Sequence, residues 1–146
     1  MASRNLEDLY QPVAERAKLF LECCAIDGID VLITATYRST EEQARLYAQG
    51  RTTPGTRVTN ARPGDSFHNV RRAFDFVPLI QGKLSWHDRA LFERIGLIGE
   101  TAGLEWGGRW KGLKDRPHFQ YCACSVHGFH KLASAFRSDG TCQVGA

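Results

Sequence analysis

An alternating run of side chains over Ala73–Val77 is the feature that most restricts how this chain can fold. Its period of two is typical of a β-strand with one buried face, so Phe74 and Phe76 would face the core and Asp75 would face a cleft. Upstream, His68 lies in a loop that could fold back over that cleft. A histidine and an aspartate held together would supply two of the three protein ligands of a catalytic zinc site. The alternative is a loop histidine and a surface aspartate that never meet.

Length and composition predict a single globular domain over residues 1–146, since 42% of the residues are hydrophobic. No apolar run is long enough to cross a membrane, so we expect no stable membrane association. The N-terminus has no apolar signal-peptide core, so we expect synthesis in the cytoplasm. The net charge of +3 is mild, and no nucleic-acid-binding motif is present, so we expect no nucleic-acid partner. We expect a monomer.

The five cysteines leave two interpretations open. In the first, all are reduced and partly buried thiols, including the adjacent pair Cys23 and Cys24 in a predicted helix. In the second, four residues near the C-terminus form a structural zinc site, although their Cys-x-Cys spacing is tighter than usual. These residues are Cys122, Cys124, His127 and His130.

Hydrophobic periodicity predicts two helices and a strand in the first fifty residues. The first helix would run from Leu6 to Cys24, with Pro12 marking a restart or a kink. The β-branched run Val31–Thr36 predicts a buried strand. A capping box that begins at Ser39 predicts a second helix from about Thr40 to Gln49.

Arg38 lies at the corner between that strand and that helix, where side chains commonly point into a site. The alternative is a surface arginine paired with Glu41 or Glu42, which would contribute only about 0.5 kcal/mol. The polar loop that follows, Arg51–Asp65, is long for a small domain. Loops of that length are more often functional than idle.

The second half of the chain contains further predicted elements. In order, they are a third helix from Trp86 to Ala102 capped by Ser85, a strand over Leu104–Gly108, a basic loop over Arg109–Arg116, a strand over Pro117–Tyr121, a short helix within Val126–Phe136, and a frayed end from Gly140. In the last strand, His118 and Gln120 would share one face.

His118 completes a possible metal site, because it is expected on the polar face of a strand as Asp75 is. Two histidines and one aspartate leave a fourth zinc position open, and zinc lowers the pKa of water bound there to about 7. Asp115, three residues before His118, is placed to act as general base. Arg38 could stabilise an oxyanion. Together these residues predict a metal-dependent hydrolase of an amide bond.

The order of these motifs resembles a known family of zinc peptidases. Ser66-x-His68, then Asp75 after six residues, and Asp115-x-x-His118 are similar to the pattern of the VanY and VanX D-Ala-D-Ala peptidases and the phage L-alanyl-D-glutamate endopeptidases. Flanking segments agree, notably Tyr-Arg-Ser around Arg38, Leu-Glu-Trp-Gly-Gly from residue 104 and Pro-His-Phe around His118. The resemblance extends from about Val31 to Tyr121.

The resemblance implies an α+β fold in which a small antiparallel sheet carries the zinc site and helices pack around it, as in D-Ala-D-Ala peptidases and hedgehog-type domains. It implies that His68, Asp75 and His118 are the zinc ligands and that Asp115 is the catalytic base. Arg38 would polarise the substrate carbonyl. Ser66 would orient the substrate or the zinc-bearing loop, and Trp110 would form part of the cleft wall.

The sequence departs from the family pattern at two positions. Arg71 stands where glycine is frequent, so the turn between His68 and Asp75 could differ. Arg109 stands where an acidic residue is frequent, which makes the loop around Asp115 strongly basic. Such charge runs are usually solvated faces; the functional alternative is attraction of carboxylates on a stem peptide.

The function expected from the resemblance is that of a phage endolysin. It would cleave the amide between L-Ala and D-Glu in the peptidoglycan stem peptide of a Gram-negative-type wall, in the periplasm, after membrane permeabilisation. Three alternatives stay open: a D-Ala-D-Ala carboxypeptidase or dipeptidase, a zinc-containing domain without catalysis, in which Asp115 would have no purpose, and a nucleic-acid binder that uses the basic loop. The mark of the third would be DNA binding with a steep salt dependence, which we do not expect. Glu105 is an alternative general base.

Overall fold

The computed structural model describes residues 1–122 and 133–143, and these form a small sheet with helices packed around it. The α-helices are α1 (Gln11–Ile26), α2 (Thr40–Ala48) and α3 (Arg89–Thr101), and the strands are β1 (Asp30–Ala35), β2 (Ala73–Ile80), β3 (Lys83–Leu84), β4 (Glu105–Trp106) and β5 (His118–Gln120). Short 3₁₀ helices occupy Leu6–Asp8, Gly107–Arg109 and Ala133–Ala135. The predicted α+β class is confirmed.

The sheet is antiparallel throughout, with strand order β1-β2-β5-β4, and β3 forms a hairpin with β2. The central pair sets the site, because Asp75 of β2 lies directly opposite His118 of β5. Side chains opposite each other in adjacent strands point to the same face. The register therefore brings the two predicted ligands together.

The other face of the sheet packs into an aromatic core. Phe20 of α1 has its ring centroid 5.8 Å from Phe74, 5.7 Å from Phe76 and 4.9 Å from Phe119. All four rings are fully buried. The alternation over Ala73–Val77 is thus confirmed, with the phenylalanines inward and Asp75 on the opposite face.

Two glycines on the inner surface of helix α3 allow the helix to pack directly against aromatic rings of the sheet. A Cβ at Gly96 would overlap the Trp106 ring, and one at Gly99 would overlap the Phe119 ring. This close approach holds β4 and β5 against the helix. None of the described helices, in residues 1–122 and 133–143, has the length and hydropathy needed to cross a bilayer.

The restart predicted at Pro12 is confirmed, whereas one predicted helix start and one predicted strand environment are wrong. A 3₁₀ turn over Leu6–Asp8 precedes the first helix, which begins at Gln11 because Pro12 lacks an amide hydrogen and fits only a first turn. The third helix begins at Arg89 with Asp88 as its cap, because Ser85 still belongs to the β2–β3 hairpin and donates its amide to the Pro78 carbonyl. Strand β1 is not buried but lies at the sheet edge.

The C-terminal segment from residue 133 to residue 143 is packed, so the expected fraying from Gly140 is wrong as far as residue 143, and residues 144–146 lie outside the described residues. Arg72, only 5% exposed, donates from Nε to the Gly140 carbonyl at 2.6 Å and from Nη1 to the Tyr121 carbonyl at 3.3 Å. Its guanidinium carbon lies 3.9 Å from the Phe136 ring centroid and 4.6 Å from that of Tyr10. This buried cation fastens the segment to the domain.

Only some of the residues in the two cysteine interpretations lie in the described part of the chain. Cys24 is buried, and burial, with smaller contributions from Cys23 and Asp27, raises the pKa of its thiol to about 12. Cys124, His127 and His130, and most of the helix expected within Val126–Phe136, lie outside the described residues. The alternative zinc site therefore stays a prediction.

Candidate active site

Three side chains from a loop and two central strands meet at the end of the sheet. The Asp75 Oδ1 atom lies 3.1 Å from Nε2 of His68 and 3.1 Å from Nδ1 of His118. One donor atom from each of the three residues lies within 4.8 Å of the others. Both histidines are almost fully buried, at 2% and 5% exposure, whereas Asp75 is partly exposed.

The loop that carries His68 is held in place by the corner that follows β1. The Nδ1 atom of His68 lies 2.7 Å from the Thr36 carbonyl, so this nitrogen donates and leaves the Nε2 lone pair facing Asp75. The side-chain Nδ2 of Asn69 donates to the backbone carbonyls of Arg38 at 2.8 Å and Ser39 at 3.2 Å. Asn69 was not predicted as a site residue, and its role is to lock the loop.

Ser66 also organises this loop. Its Oγ accepts a hydrogen bond from the His68 amide at 3.2 Å, and its own amide donates to Asn69 Oδ1 at 3.3 Å. Ser66 is buried and lines the cavity described below. Of its two predicted tasks, the contacts fit the positioning of the zinc-bearing loop.

Arg71 takes the left-handed backbone conformation that favours glycine, with φ at +61°. Two contacts of its side chain offset this strain. Its Nη1 donates to the Asp8 carbonyl at 2.8 Å, and its guanidinium carbon lies 4.1 Å from the Tyr37 ring centroid. The turn between His68 and Asp75 is therefore made with an arginine in place of the family's glycine.

The donor set of His68, Asp75 and His118 fits zinc. Two imidazole nitrogens and one carboxylate oxygen, with a fourth position open, are a common catalytic arrangement, and bonds of about 2.0–2.1 Å place neighbouring ligand atoms roughly 3.4 Å apart. The two separations from Asp75 Oδ1, both 3.1 Å, are close to that spacing, and all three donor atoms lie within 4.8 Å of one another. Each histidine also has a partner for its second ring nitrogen, as zinc-binding histidines usually do.

The charges of this cluster reinforce one another. Burial would raise the pKa of the Asp75 carboxyl, but the charges and hydrogen bonds of His68 and His118 outweigh it and hold that pKa well below its usual range. For His118, burial lowers the pKa, yet the hydrogen bond that Nδ1 donates to Asp75 and the charge of Asp115 raise it to about 9. The site therefore favours a carboxylate next to positive charge, as a cation would provide.

Asp115 lies beside the metal-facing side of His118, with its Oδ2 3.8 Å from Nδ1. Burial raises the pKa of its carboxyl, His118 opposes the rise and Asp75 adds to it. The Asp115 amide donates to the Gly107 carbonyl at 3.1 Å, and a Cβ at Gly107 would overlap the Asp115 carbonyl. Only a glycine at position 107 allows the loop to close this tightly and present Asp115.

Glu105, the alternative base, also lines the cavity, but its carboxylate is hydrogen-bonded to a neighbouring side chain. Its Oε2 accepts a hydrogen bond from Gln120 Nε2 at 3.0 Å. Gln120 in turn places Oε1 2.9 Å from His118 Nε2, on the side of the ring away from Asp75. The geometry thus favours Asp115 over Glu105 as the general base.

Arg38 points into the site rather than pairing with the helix that follows it. Its Nη2 lies 3.5 Å from Asp75 Oδ2, and its Nη1 donates to Gln43 Oε1 at 3.0 Å. Gln43 is fully buried and donates from Nε2 to the Ala61 carbonyl at 2.8 Å. The alternative pairing with Glu41 or Glu42 is wrong, since Arg38 pairs with Asp75, and Glu42 pairs with Arg45 and the N-terminal amine.

Gln43 was missed by the sequence reasoning. The sequence did contain one indication of its role. Gln43 is a polar residue at an inward-facing position of a short amphipathic helix, five residues after Arg38.

A cavity of about 560 Å³ opens over the three donor atoms. Its walls include Arg38, Ser66, Trp110 and Asp115. The Trp110 ring centroid lies 5.1 Å from that of His118, so this tryptophan forms the predicted part of the wall. The space is sufficient for a short peptide segment, within the usual range of ligand cavities.

The basic loop is mostly a solvent-facing surface. Arg109 is not among the residues that line the cavity, and its Nη2 pairs with Glu100 Oε1 at 2.8 Å on the exposed surface. Lys114 donates to the Trp110 carbonyl at 3.1 Å. These contacts fit the solvated-face interpretation better than direct attraction of substrate carboxylates.

Comparisons with known proteins agree with this geometry. The D-alanyl-D-alanine carboxypeptidase family model matches residues 59–121. The chain is 39% identical over 122 residues to the peptidoglycan L-alanyl-D-glutamate endopeptidase CwlK of Bacillus subtilis, covering 77% of this chain and 73% of that protein. It is 30% identical over 141 residues to the L-alanyl-D-glutamate peptidase of a Listeria phage, covering 92% of this chain and 46% of that protein.

Solved structures share the fold. The L-Ala D-Glu endopeptidase ChiX of Serratia marcescens superposes with a TM-score of 0.62 at 25% identity, covering 83% of this chain and 88% of that one. VanYB in complex with D-Alanine-D-Alanine gives a TM-score of 0.56 at 18% identity, with coverage of 75% and 68%. A VanY D,D-pentapeptidase solved with Zn(II) gives 0.57 at 16% identity, with coverage of 75% and 70%.

Proposed function

Because this chain belongs to the zinc-dependent peptidase family of the D-alanyl-D-alanine carboxypeptidases and L-alanyl-D-glutamate endopeptidases, we propose that it cleaves the L-Ala–D-Glu amide of the peptidoglycan stem peptide. The observation that carries the proposal is that one cavity is lined both by the donor residues His68, Asp75 and His118 and by Asp115 and Arg38. The choice of bond is supported by the relatives, since two of them are named for that activity.

In this proposal the three donor residues hold zinc, which supplies Lewis-acid polarisation of an amide carbonyl and a water that ionises near neutral pH. Asp115 takes the proton from the attacking water and delivers it to the nitrogen of the leaving amine. Its half-buried carboxylate, with Oδ2 3.8 Å from His118 Nδ1, lies beside the donor atoms and lines the same cavity.

Arg38 stabilises the developing oxyanion on the scissile carbonyl. Gln43 holds one of its terminal nitrogens at 3.0 Å, so the guanidinium is fixed in direction before substrate binds. A donor group oriented in advance costs no reorganisation when charge develops in the transition state. The Trp110 ring gives the substrate a flat apolar wall against which to lie.

A second candidate is the removal of D-Ala from the end of the stem. It is supported by the description of the matching family model and by the VanYB complex with D-Alanine-D-Alanine. The two reactions share the metal chemistry and differ only in which substrate amide is placed over the donor atoms. A zinc-containing domain without catalysis is a third outcome, although a positioned Asp115 has no role in it.

Products distinguish these candidates. Purified Gram-negative peptidoglycan digested by the zinc-loaded protein is expected to release fragments with a new N-terminal D-Glu, read by amine labelling and mass spectrometry. Loss of terminal D-Ala, with the L-Ala–D-Glu bond intact, would establish the carboxypeptidase instead. Bound zinc with no cleavage of any stem bond would establish the non-catalytic domain.

We further propose a lytic role, in which the enzyme acts as a phage endolysin in the periplasm after the membrane has been permeabilised. The similarity to a Listeria phage peptidase supports this role, whereas CwlK supports an enzyme of a bacterium's own wall. Added to Gram-negative cells, the protein is expected to clear the suspension only when the outer membrane is permeabilised. Permeabilised cells that stay turbid, with peptidoglycan still digested in the purified form, would argue against the lytic role.

A further inference from the structure

We infer that Glu105 is a positioning residue that acts through Gln120 to keep the Nδ1 lone pair of His118 directed at the metal. The three side chains form one continuous hydrogen-bonded line. Gln120 Nε2 lies 3.0 Å from Glu105 Oε2, and Gln120 Oε1 lies 2.9 Å from His118 Nε2. The far nitrogen of the same ring, Nδ1, is the atom that faces Asp75.

The register of the sheet positions these three hydrogen-bonded side chains. Glu105 of β4 lies directly opposite Gln120 of β5, and His118 precedes Gln120 by two residues, so all three point to the face that carries Asp75. Gln120 is only 7% exposed. Because water has little access to its amide, the neighbours in the sheet determine the direction in which that amide points.

The direction of the amide decides the protonation pattern of the ring. A carboxylate only accepts hydrogen bonds, so Glu105 requires the NH₂ end of Gln120 to face it. The carbonyl end of Gln120 then faces His118 Nε2 and demands a proton there. An imidazole with its proton on Nε2 carries a free lone pair on Nδ1, which is the state a metal ligand needs.

Without an acceptor at position 105, the Gln120 amide can turn over and present NH₂ to the ring. A donor facing Nε2 favours the tautomer with the proton on Nδ1, where it blocks the metal. His68 does not need such a relay, because the Thr36 carbonyl accepts from its Nδ1 directly. His118 reaches a fixed acceptor only through Gln120, so the two ligands are controlled in different ways.

The test measures zinc affinity by competition with a chelator. Glu105→Gln keeps the shape of the side chain but no longer fixes the direction of the Gln120 amide. Gln120→Met removes the acceptor of the His118 ring proton, while Glu105 keeps its charge. Each variant is expected to bind zinc about 10–100-fold more weakly than the wild type. Glu100→Gln is the matched control, since it removes a carboxylate that pairs with Arg109 at the surface, and it should bind as the wild type does.

A swapped variant, Glu105→Gln with Gln120→Glu, restores the order of donors and acceptors, because residue 120 then accepts from His118 and residue 105 donates. It is expected to recover most of the lost affinity. Thermal unfolding of the zinc-free proteins checks that each variant folds, and the visible spectrum of cobalt-loaded protein reports the ligand geometry. If one of the two single-substitution variants does not fold, the swapped variant alone decides. A zinc affinity tenfold or more below that of the wild type then overturns the inference, and a smaller loss of zinc affinity supports it.

The inference rests on the proposed role of His118 as a zinc ligand, and the experiment separates the two. A wild type without zinc, or a His118→Ala variant with unchanged affinity, would overturn the proposed function itself. A wild type that binds zinc, with Gln120→Met binding equally well, would overturn only the inference. Loss in Glu105→Gln but not in Gln120→Met would show an effect of charge alone and would overturn it as well.

Discussion

The Asp115→Asn enzyme is expected to retain its zinc and to lose about three orders of magnitude in kcat/KM, within the range that a general base contributes. Asparagine has nearly the same shape but cannot take a proton from water. The nearest Asp115 oxygen is 3.8 Å from His118 Nδ1, whereas the three donor atoms come from other residues. Zinc content is therefore measured beside the rate of release of D-Glu N-termini.

The control for this change is Asp30→Asn, which also converts a carboxylate to an amide. Asp30 begins β1 and pairs with Leu79, whereas Asp75 pairs with Ala35 five residues further along the strand. Along β2, Leu79 is four residues from Asp75, so at about 3.4 Å per residue the control position is roughly 14 Å away from the site. It should leave the rate unchanged. An Asp115→Asn enzyme of near wild-type rate would remove Asp115 from the mechanism and return attention to Glu105.

The position of the candidate site was predictable because its residues lie in regular structure. Period two over Ala73–Val77 decided which face Asp75 occupies, and the same period placed His118 on the polar face of its strand. The register between β2 and β5 could not be read from periodicity, since it depends on contacts across the sheet. The resemblance to known peptidases indicated that Asp75 and His118 act on the same metal, but it gave no register.

The supporting residues were harder to predict, because their roles depend on partners distant in sequence. Gln43 has no motif of its own, and its importance appears only when Arg38 and the carbonyl of Ala61 meet it. Asn69 follows a predicted ligand but acts on the backbone some thirty residues earlier. A sequence pattern reports burial and period, whereas a hydrogen bond between loops is created by the tertiary fold.

The C-terminal segment is a second case in which contacts with residues distant in sequence decided the structure. The sequence predicted a frayed end from Gly140 onward, yet Gly140 is buried against Tyr10. The cause is Arg72, a charged residue that the strand pattern gave no reason to place inside. Its aromatic neighbours and two backbone carbonyls compensate for the burial of its charge.

Arg72→Met is accordingly expected to lower the free energy of unfolding by about 3 kcal/mol, because two buried carbonyls lose a charged donor and the contacts with Phe136 and Tyr10 lose their cation. For a chain of this size the melting temperature should fall by about 10 °C. Methionine keeps the apolar stem of the side chain, so the loss reports the guanidinium. The measurement is urea and thermal unfolding, with limited proteolysis after residue 132 as a local readout.

Arg94→Met provides the matched control for that change. Arg94 pairs with Asp27 at 3.7 Å on the surface, where both side chains are about half exposed, and such a pair contributes at most about 1 kcal/mol. If Arg72→Met unfolds no more easily than Arg94→Met, the buried cation does not fasten the C-terminal segment. If it lowers stability without faster cleavage of that segment, the cation supports the domain through Tyr121 and Tyr10 instead, since those contacts do not involve residues 133–143.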